Sequence, residues 1–182
     1  YARRGPQRTT HFDLRGVLDR IAALRGYQLS ASIIALHLDR PAAPVWVEGD
    51  LDRLLQVFFN LVLNAEQAIL VCRSKGDIWL ACGEDHGRVR ATVRDNGCGM
   101  SPAVQSCIFD PFFTTKPVGQ GAGLGLSISH GIIQQHHGSI AVESAEGQGT
   151  TIRVSIPLAQ PPSKPPFNTP AKRLATRPGG AP

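Results

Sequence analysis

The sequence predicts a two-layer α/β sandwich, with helices on one face of a mixed sheet. Three observations lead there. Candidate strands come in pairs. The pairs are separated by stretches with helical spacing, an order that does not build alternating βαβ units. Hydrophobic residues make up 42% of the 182-residue chain, enough for one packed core.

The elements follow in order. Residues 13–26 place Leu14, Val17, Leu18, Ile21 and Leu24 at helical spacing, with Asp13 as N-cap and Gly26 as stop. Residues 32–38 and 45–48 read as short strands, with Pro41 and Pro44 in the turn between them. Residues 50–71 are the longest helical candidate, with Leu51, Leu54, Leu55, Phe58, Leu61, Val62, Ala65 and Ile69 on one broad face. Residues 77–82 and 88–94 form a hairpin around Asp85-His86-Gly87. A short helix covers 101–108. Residues 109–123, rich in Phe, Thr and Gly, fit no regular element. Helical spacing returns over 124–136 through Leu124, Ile128, Ile132 and Ile133. Strands at 139–143 and 150–156 close the pattern around Gly147-Gln148-Gly149.

Charge is unevenly placed. The formal net charge is +5. Residues 1–10 and 158–182 hold seven basic residues and no acid, so 11–157 carries 12 bases against 14 acids. The basic character sits at the ends, which argues against a nucleic-acid partner. From Leu158 onward the chain has seven of its 14 prolines and reads as an extended tail. No run approaches about 18 consecutive apolar residues, so no membrane span is expected in this segment. The N-terminus lacks the apolar core of a signal peptide. Cys72, Cys82, Cys98 and Cys107 form no Cys-x-x-Cys pair, and reduced cysteines of a cytoplasmic protein are expected.

Four segments carry chemistry. Asn60, Asn64 and Gln67 fall on one helix face, and an amide oxygen suits Mg²⁺ already bridged by phosphates. A polar face touching solvent is the plainer alternative. Asp95-Asn96-Gly97-Cys98-Gly99 follows a strand; its carboxylate can accept from an exocyclic amine and its glycines permit close approach to a ring, although a simple turn has the same composition. Gly119-Gln120-Gly121-Ala122-Gly123-Leu124-Gly125-Leu126 leads into a helix and offers backbone N–H groups to phosphates. It is neither a dinucleotide fingerprint nor a Walker A loop. Phe109, Phe112 and Phe113, with Thr114, Thr115 and Lys116, suggest an apolar latch and a lysine within reach of a terminal phosphate.

In this order and spacing, the segments resemble the N, G1, F and G2 boxes of the histidine-kinase catalytic domain. Residues 147–157 resemble its closing G3 motif. The resemblance covers about residues 12–158, and Phe113-Thr-Thr-Lys-Pro117 and Gly131–Gly138 are similar to the nitrogen-sensor-like group. It implies an ATP-binding sandwich of Bergerat type, with a mainly antiparallel mixed sheet and a flexible lid over about 100–122. Asn64 would hold Mg²⁺, with Asn60 and Gln67 beside the phosphates. Asp95 would hold the adenine amine, with Gly97 and Gly99 lining the base and Thr150 supporting it through water. Gly121, Gly123, Leu124, Gly125 and Leu126 would form the phosphate-facing turn. Thr115 and Lys116 would approach the nucleotide from the lid.

Hydrolysing relatives carry Glu four residues before the Mg²⁺-binding Asn. Here that position is Asn60, and an amide is no general base at neutral pH. The family's usual Thr in the glycine box is Ala122 here, which removes one hydroxyl. The implied activity is ATP-dependent transfer to a histidine on a separate dimerisation domain, for relay to a response regulator. The resemblance also implies a dimer in the full-length protein, with residues 1–11 the end of an upstream dimerisation region and 159–182 a tail. His11-Phe-Asp-Leu-Arg15 is rejected as the acceptor box, since no hairpin surrounds it. Two alternatives remain: a regulatory nucleotide-binding module, and a Ser/Thr kinase of the same fold such as the anti-sigma regulators.

Overall fold

The computed structural model describes residues 9–117 and 121–162. The basic N-terminus (1–8), Gly119 of the glycine-rich run and the tail from 163 lie outside the described residues. Just before the first predicted helix is a strand that sequence reading missed, β1 (Thr10–Asp13). His11 therefore lies in a strand rather than on a helical hairpin.

Helix α1 (Leu14–Ala31) starts where expected, with Asp13 Oδ1 accepting from Arg15 N at 3.1 Å. It runs past Gly26. A helical glycine costs only about 1 kcal/mol, and Leu29, fully buried one turn further on, outweighs that. The helix stops at Ser32, followed by Ile33 with φ of 57°. Leu24, placed on the core face by periodicity, is 58% exposed. The inward slot of that turn belongs to Arg25, which pairs with Glu66 of the long helix.

The strands β2 (Ile34–Asp39) and β3 (Trp46–Gly49) exist as predicted, but they do not pair with each other. β3 pairs antiparallel with β1, His11 opposite Glu48. β2 joins the main sheet, parallel to β4 (Gly76–Asp85), with Leu36 opposite Ile78. The proline-bearing segment between β2 and β3 thus crosses between sheets instead of closing a hairpin.

Helix α2 (Leu51–Cys72) is capped by Asp50, which accepts from Arg53 N at 3.1 Å. By length and composition it is apolar enough to cross a membrane. Its amides Asn60, Asn64 and Gln67 break the apolar stretch, so the sequence contains no unbroken run of that length. In the fold it is a core helix: Leu54, Val57, Phe58, Leu61, Val62 and Ile69 are all buried. β4 returns through β5 (Arg88–Asp95) by a two-residue turn in which His86 and Gly87 both have positive φ, 50° and 72°. That is the twist a tight hairpin needs.

The short α3 (Pro102–Cys107) is capped by Ser101. α4 (Gly125–Gln135) precedes the hairpin of β6 (Ser139–Ala145) and β7 (Gly149–Pro157). The sheet order is β2-β4-β5-β7-β6, antiparallel except at β2–β4, and the helices pack on one face. This is the sandwich the sequence predicts. Alternation along the strands sends Ile78, Leu80, Val89, Ala91, Val93, Ile152 and Val154 under the helices.

Candidate functional site

The site forms where α2, the end of β5, the N-terminus of α4 and the β6–β7 hairpin meet. β5 reads Arg-Val-Arg-Ala-Thr-Val-Arg-Asp, with Val89, Ala91 and Val93 buried on the helix side. The same phase carries Asp95 inward, where it is 5% exposed. A charged residue on the apolar phase of a strand is the signal that marks it in the sequence.

Asp95 is held by two backbone donors, Gly97 N at 2.8 Å and Thr150 N at 3.3 Å, both on Oδ1. Among the described residues, Oδ2 accepts no hydrogen bond. Burial pushes the Asp95 carboxyl above its ordinary range, and the two N–H donors pull against that without reversing it. The carboxylate is thus fixed in orientation with one oxygen available to a ligand donor.

The glycines around Asp95 have an internal reason to be glycine. A Cβ at Gly97 would lie 2.7 Å from the Ala68 carbonyl carbon of α2. Gly99, at φ of 66°, would place one 1.9 Å from the Ala145 carbonyl oxygen, and Gly149 one 2.1 Å from the Asp95 carbonyl oxygen. The backbone therefore packs directly on backbone around the carboxylate.

Sequence reading missed the residue that ties this corner together. The Ser144 hydroxyl accepts from Met100 N at 2.9 Å, donates to the Gly149 carbonyl at 2.8 Å and lies 3.0 Å from Thr150 Oγ1. A lone serine in a strand carries no signal; only the register, Ser144 opposite Thr150, brings it here.

On α2, Asn60, Asn64 and Gln67 do share one partly buried face. They differ in what they touch. Asn60 Nδ2 reaches the Gly125 carbonyl at 3.4 Å and Ser129 Oγ at 3.5 Å, two long bonds that hold α4 against α2. Asn64 hydrogen-bonds to no described residue, so its amide oxygen is available to a cation. Gln67 Oε1 accepts from Lys116 Nζ, which ties the lid segment to α2. Burial lowers the Lys116 pKa from its ordinary value.

Two glycines fold the described part of the lid segment back on itself. Gly123, at φ of 66°, lies so close to Phe112 that a Cβ would meet its carbonyl carbon at 2.4 Å. Gly121 approaches Lys116, with Cδ 3.1 Å from the position of an added Cβ. Thr115 is exposed between them. Leu124 precedes α4 without a side-chain cap, so the N–H groups of Gly125, Leu126 and Ser127 face outward from an uncapped helix end. That is a ready anion site.

Two polar contacts brace the site from outside. Glu66 is buried and pairs with Arg25 of α1, whose guanidinium lies 5.6 Å over Phe59. His136 is also buried. Its Nδ1 lies 2.8 Å from the Ile132 carbonyl and its Nε2 accepts from Asp50 N at 3.0 Å, which fixes the tautomer with the proton on Nδ1. His136 thus joins the end of α4 to the start of α2.

Comparison with known proteins gives this geometry a family. Residues 49–160 match the model of histidine kinase-, DNA gyrase B- and HSP90-like ATPases. The chain is 35% identical over 166 residues to the two-component sensor PprA of Pseudomonas aeruginosa, covering 88% of this chain and 18% of that one. It is 42% identical over 112 residues to the sensor histidine kinase ZraS of Escherichia coli, covering 62% of this chain and 23% of that one. It therefore spans less than a quarter of either relative. The catalytic domain of histidine kinase ThkA superposes with a TM-score of 0.72 at 33% identity, over 82% of this chain and 95% of that one. ThkA in complex with the response regulator TrrA superposes at 0.70 and 29% identity, over 84% and 42%. On the match of sequence and fold, this chain belongs to the family of histidine kinase-, DNA gyrase B- and HSP90-like ATPases.

Proposed function

We propose that this chain is the ATP-binding, phosphoryl-donating domain of a two-component sensor histidine kinase. It binds Mg-ATP and transfers the γ-phosphoryl group to a histidine on a separate dimerisation domain, from which a response regulator takes it. The full protein is then a dimer, with this domain on the cytoplasmic side. The names of PprA, ZraS and ThkA support this reading.

The observation that favours transfer over hydrolysis is the polar face of α2. One turn before Asn64 stands Asn60, an amide already bonded to α4. The buried carboxylate of this helix, Glu66, faces α1 and is paired with Arg25. Neither residue can take a proton from water beside the phosphates. A kinase benefits from that, because water competes with its protein acceptor.

The geometry described above supports the remaining roles in this reading. Asp95 Oδ2 accepts from the adenine amine, while Gly97 and Gly99 keep the neighbouring surface flat. Thr150 and Ser144 hold that corner in place. The uncapped N–H groups of Gly125 and Leu126, with Gly121, Gly123 and Leu124 leading into them, take phosphate oxygens. Lys116 and Thr115 approach the terminal phosphate from the lid. Asn64 holds Mg²⁺, which offsets phosphate charge. The work of the protein is positioning and electrostatics.

The test mixes the chain with a dimerised histidine hairpin and γ-labelled ATP. Acid-labile phosphohistidine is expected, and Asn64→Ala should abolish both transfer and the Mg²⁺ dependence of binding. An acid-stable product would point to the Ser/Thr reading. Mg-dependent ATP binding without transfer would point to a regulatory module, and no ATP binding at all would overturn the proposal.

A further inference from the structure

Cys72 and Cys98 converge on one backbone oxygen. Cys72 ends α2, and its Sγ donates to the Ala68 carbonyl at 3.3 Å. Cys98 lies in the turn after β5, and its N–H donates to the same carbonyl at 3.2 Å. Burial raises the Cys98 pKa, and the neighbouring Cys72 adds to the effect. No side chain separates the turn from the helix, because Gly97 packs on the Ala68 backbone. The turn and the end of the helix thus meet backbone to backbone beside the two cysteines, the close approach a disulfide needs.

Access differs between the two. Cys72 is exposed and lines an open cleft of about 860 Å³, beside Ser74, Lys75 and Asn96. Cys98 is half-buried. A small oxidant meets Cys72 first.

From this juxtaposition we infer that Cys72 and Cys98 form a reversible disulfide that clamps the Asp95–Gly99 turn to α2 and weakens nucleotide binding. The second half rests on the nucleotide reading above; the first does not. The oxidant is a small hydroperoxide. The Cys72 thiolate attacks a peroxide oxygen, the O–O bond breaks, and a sulfenic acid and water result. The Cys98 thiolate then attacks the sulfenyl sulfur. The S–S bond forms, the S–O bond breaks, and hydroxide leaves as water with the proton Cys98 gave up. Two thiols and one hydrogen peroxide yield one disulfide and two waters, and a small dithiol reverses the step. Intracellular disulfides are commonly transient sensors of this kind.

The link to binding is local. Gly97 N–H orients Asp95, and the Cys98 carbonyl accepts from Gly147 N at 2.7 Å. Drawing Cys98 toward Cys72 pulls on both of these contacts, one of which orients Asp95.

The experiment uses the whole chain. It is treated with hydrogen peroxide, alkylated and digested without reductant. The expected map joins the Cys72 and Cys98 peptides and leaves Cys82 and Cys107 alkylated. ATP affinity, measured on the same sample by calorimetry, should fall about fivefold or more and recover with dithiothreitol. Cys72→Ser should keep the affinity of the reduced chain and lose the response to peroxide, and Cys98→Ser should lose the cross-link. Absence of the joined peptide overturns the inference, as does a joined peptide with unchanged affinity. If the reduced chain binds no ATP, the nucleotide reading falls, and the peptide map alone decides whether the disulfide exists.

Discussion

Asp95 and Thr150 stand opposite each other across β5 and β7, and the Thr150 N–H donates to Asp95 Oδ1 at 3.3 Å. With the Gly97 N–H on the same oxygen, the carboxylate can turn only Oδ2 to a ligand. In Asp95→Asn the carbonyl oxygen must stay on those two donors. The exposed position then becomes an NH₂ group facing the adenine amine. Loss of one buried bond between donor and acceptor is worth about 1–3 kcal/mol, so ATP affinity should drop about 5- to 150-fold by calorimetry.

The same residue sets a pH dependence. Its folded pKa is raised above 3.8 by burial. Between the unfolded and folded values the native state binds more protons than the unfolded one, so Asp95 lowers stability as pH rises through that window. Asp95→Asn removes this cost. Its Tm should match or exceed that of the parent at pH 7, with the advantage shrinking in acid. Nucleotide affinity of the parent should fall as pH drops through the raised pKa.

Glu66→Ala leaves Arg25 buried without its partner. Breaking such a pair costs about 3–5 kcal/mol, which urea unfolding should show. Replacing both residues, Arg25→Met with Glu66→Leu, should cost much less than the sum of the two single changes.

Gly49 and His136 form a steric pair. A Cβ at Gly49 would lie 2.2 Å from His136 Cδ2. Gly49→Ala should therefore destabilise by about 1–3 kcal/mol. In a His136→Ala background the added methyl has room, so its cost should shrink even though His136→Ala is itself destabilising. A double-mutant cycle measures the coupling.

Lys116→Ala removes the lid's cation. ATP affinity should fall about tenfold, as for a charged hydrogen bond, whereas AMP affinity should hold. Equal loss for both nucleotides would place Lys116 away from the terminal phosphate.

Much of this was legible in sequence, because the signals are local. The spacing of Leu54, Phe58, Leu61 and Ile69 sets the buried face of α2. His86-Gly87 sets the hairpin turn. Two readings failed where the pattern was right but the partner lay elsewhere. β2 and β3 were each visible, but pairing is a long-range choice, and each found a strand other than its neighbour. Leu24 had core spacing, but the helix gave that turn's inner slot to Arg25 because Glu66 waits across the interface.

By itself, then, the sequence determined the order of the elements after β1 and the amide face of α2, since helix and strand periods follow from backbone geometry alone. Only the tertiary structure decided what those groups touch. It spent Asn60 on α4 and left Asn64 unbonded among the described residues, joined Gln67 to Lys116 across 49 residues, and brought Cys72 and Cys98 to one carbonyl. Such contacts depend on how the elements pack in three dimensions, and no local spacing encodes that.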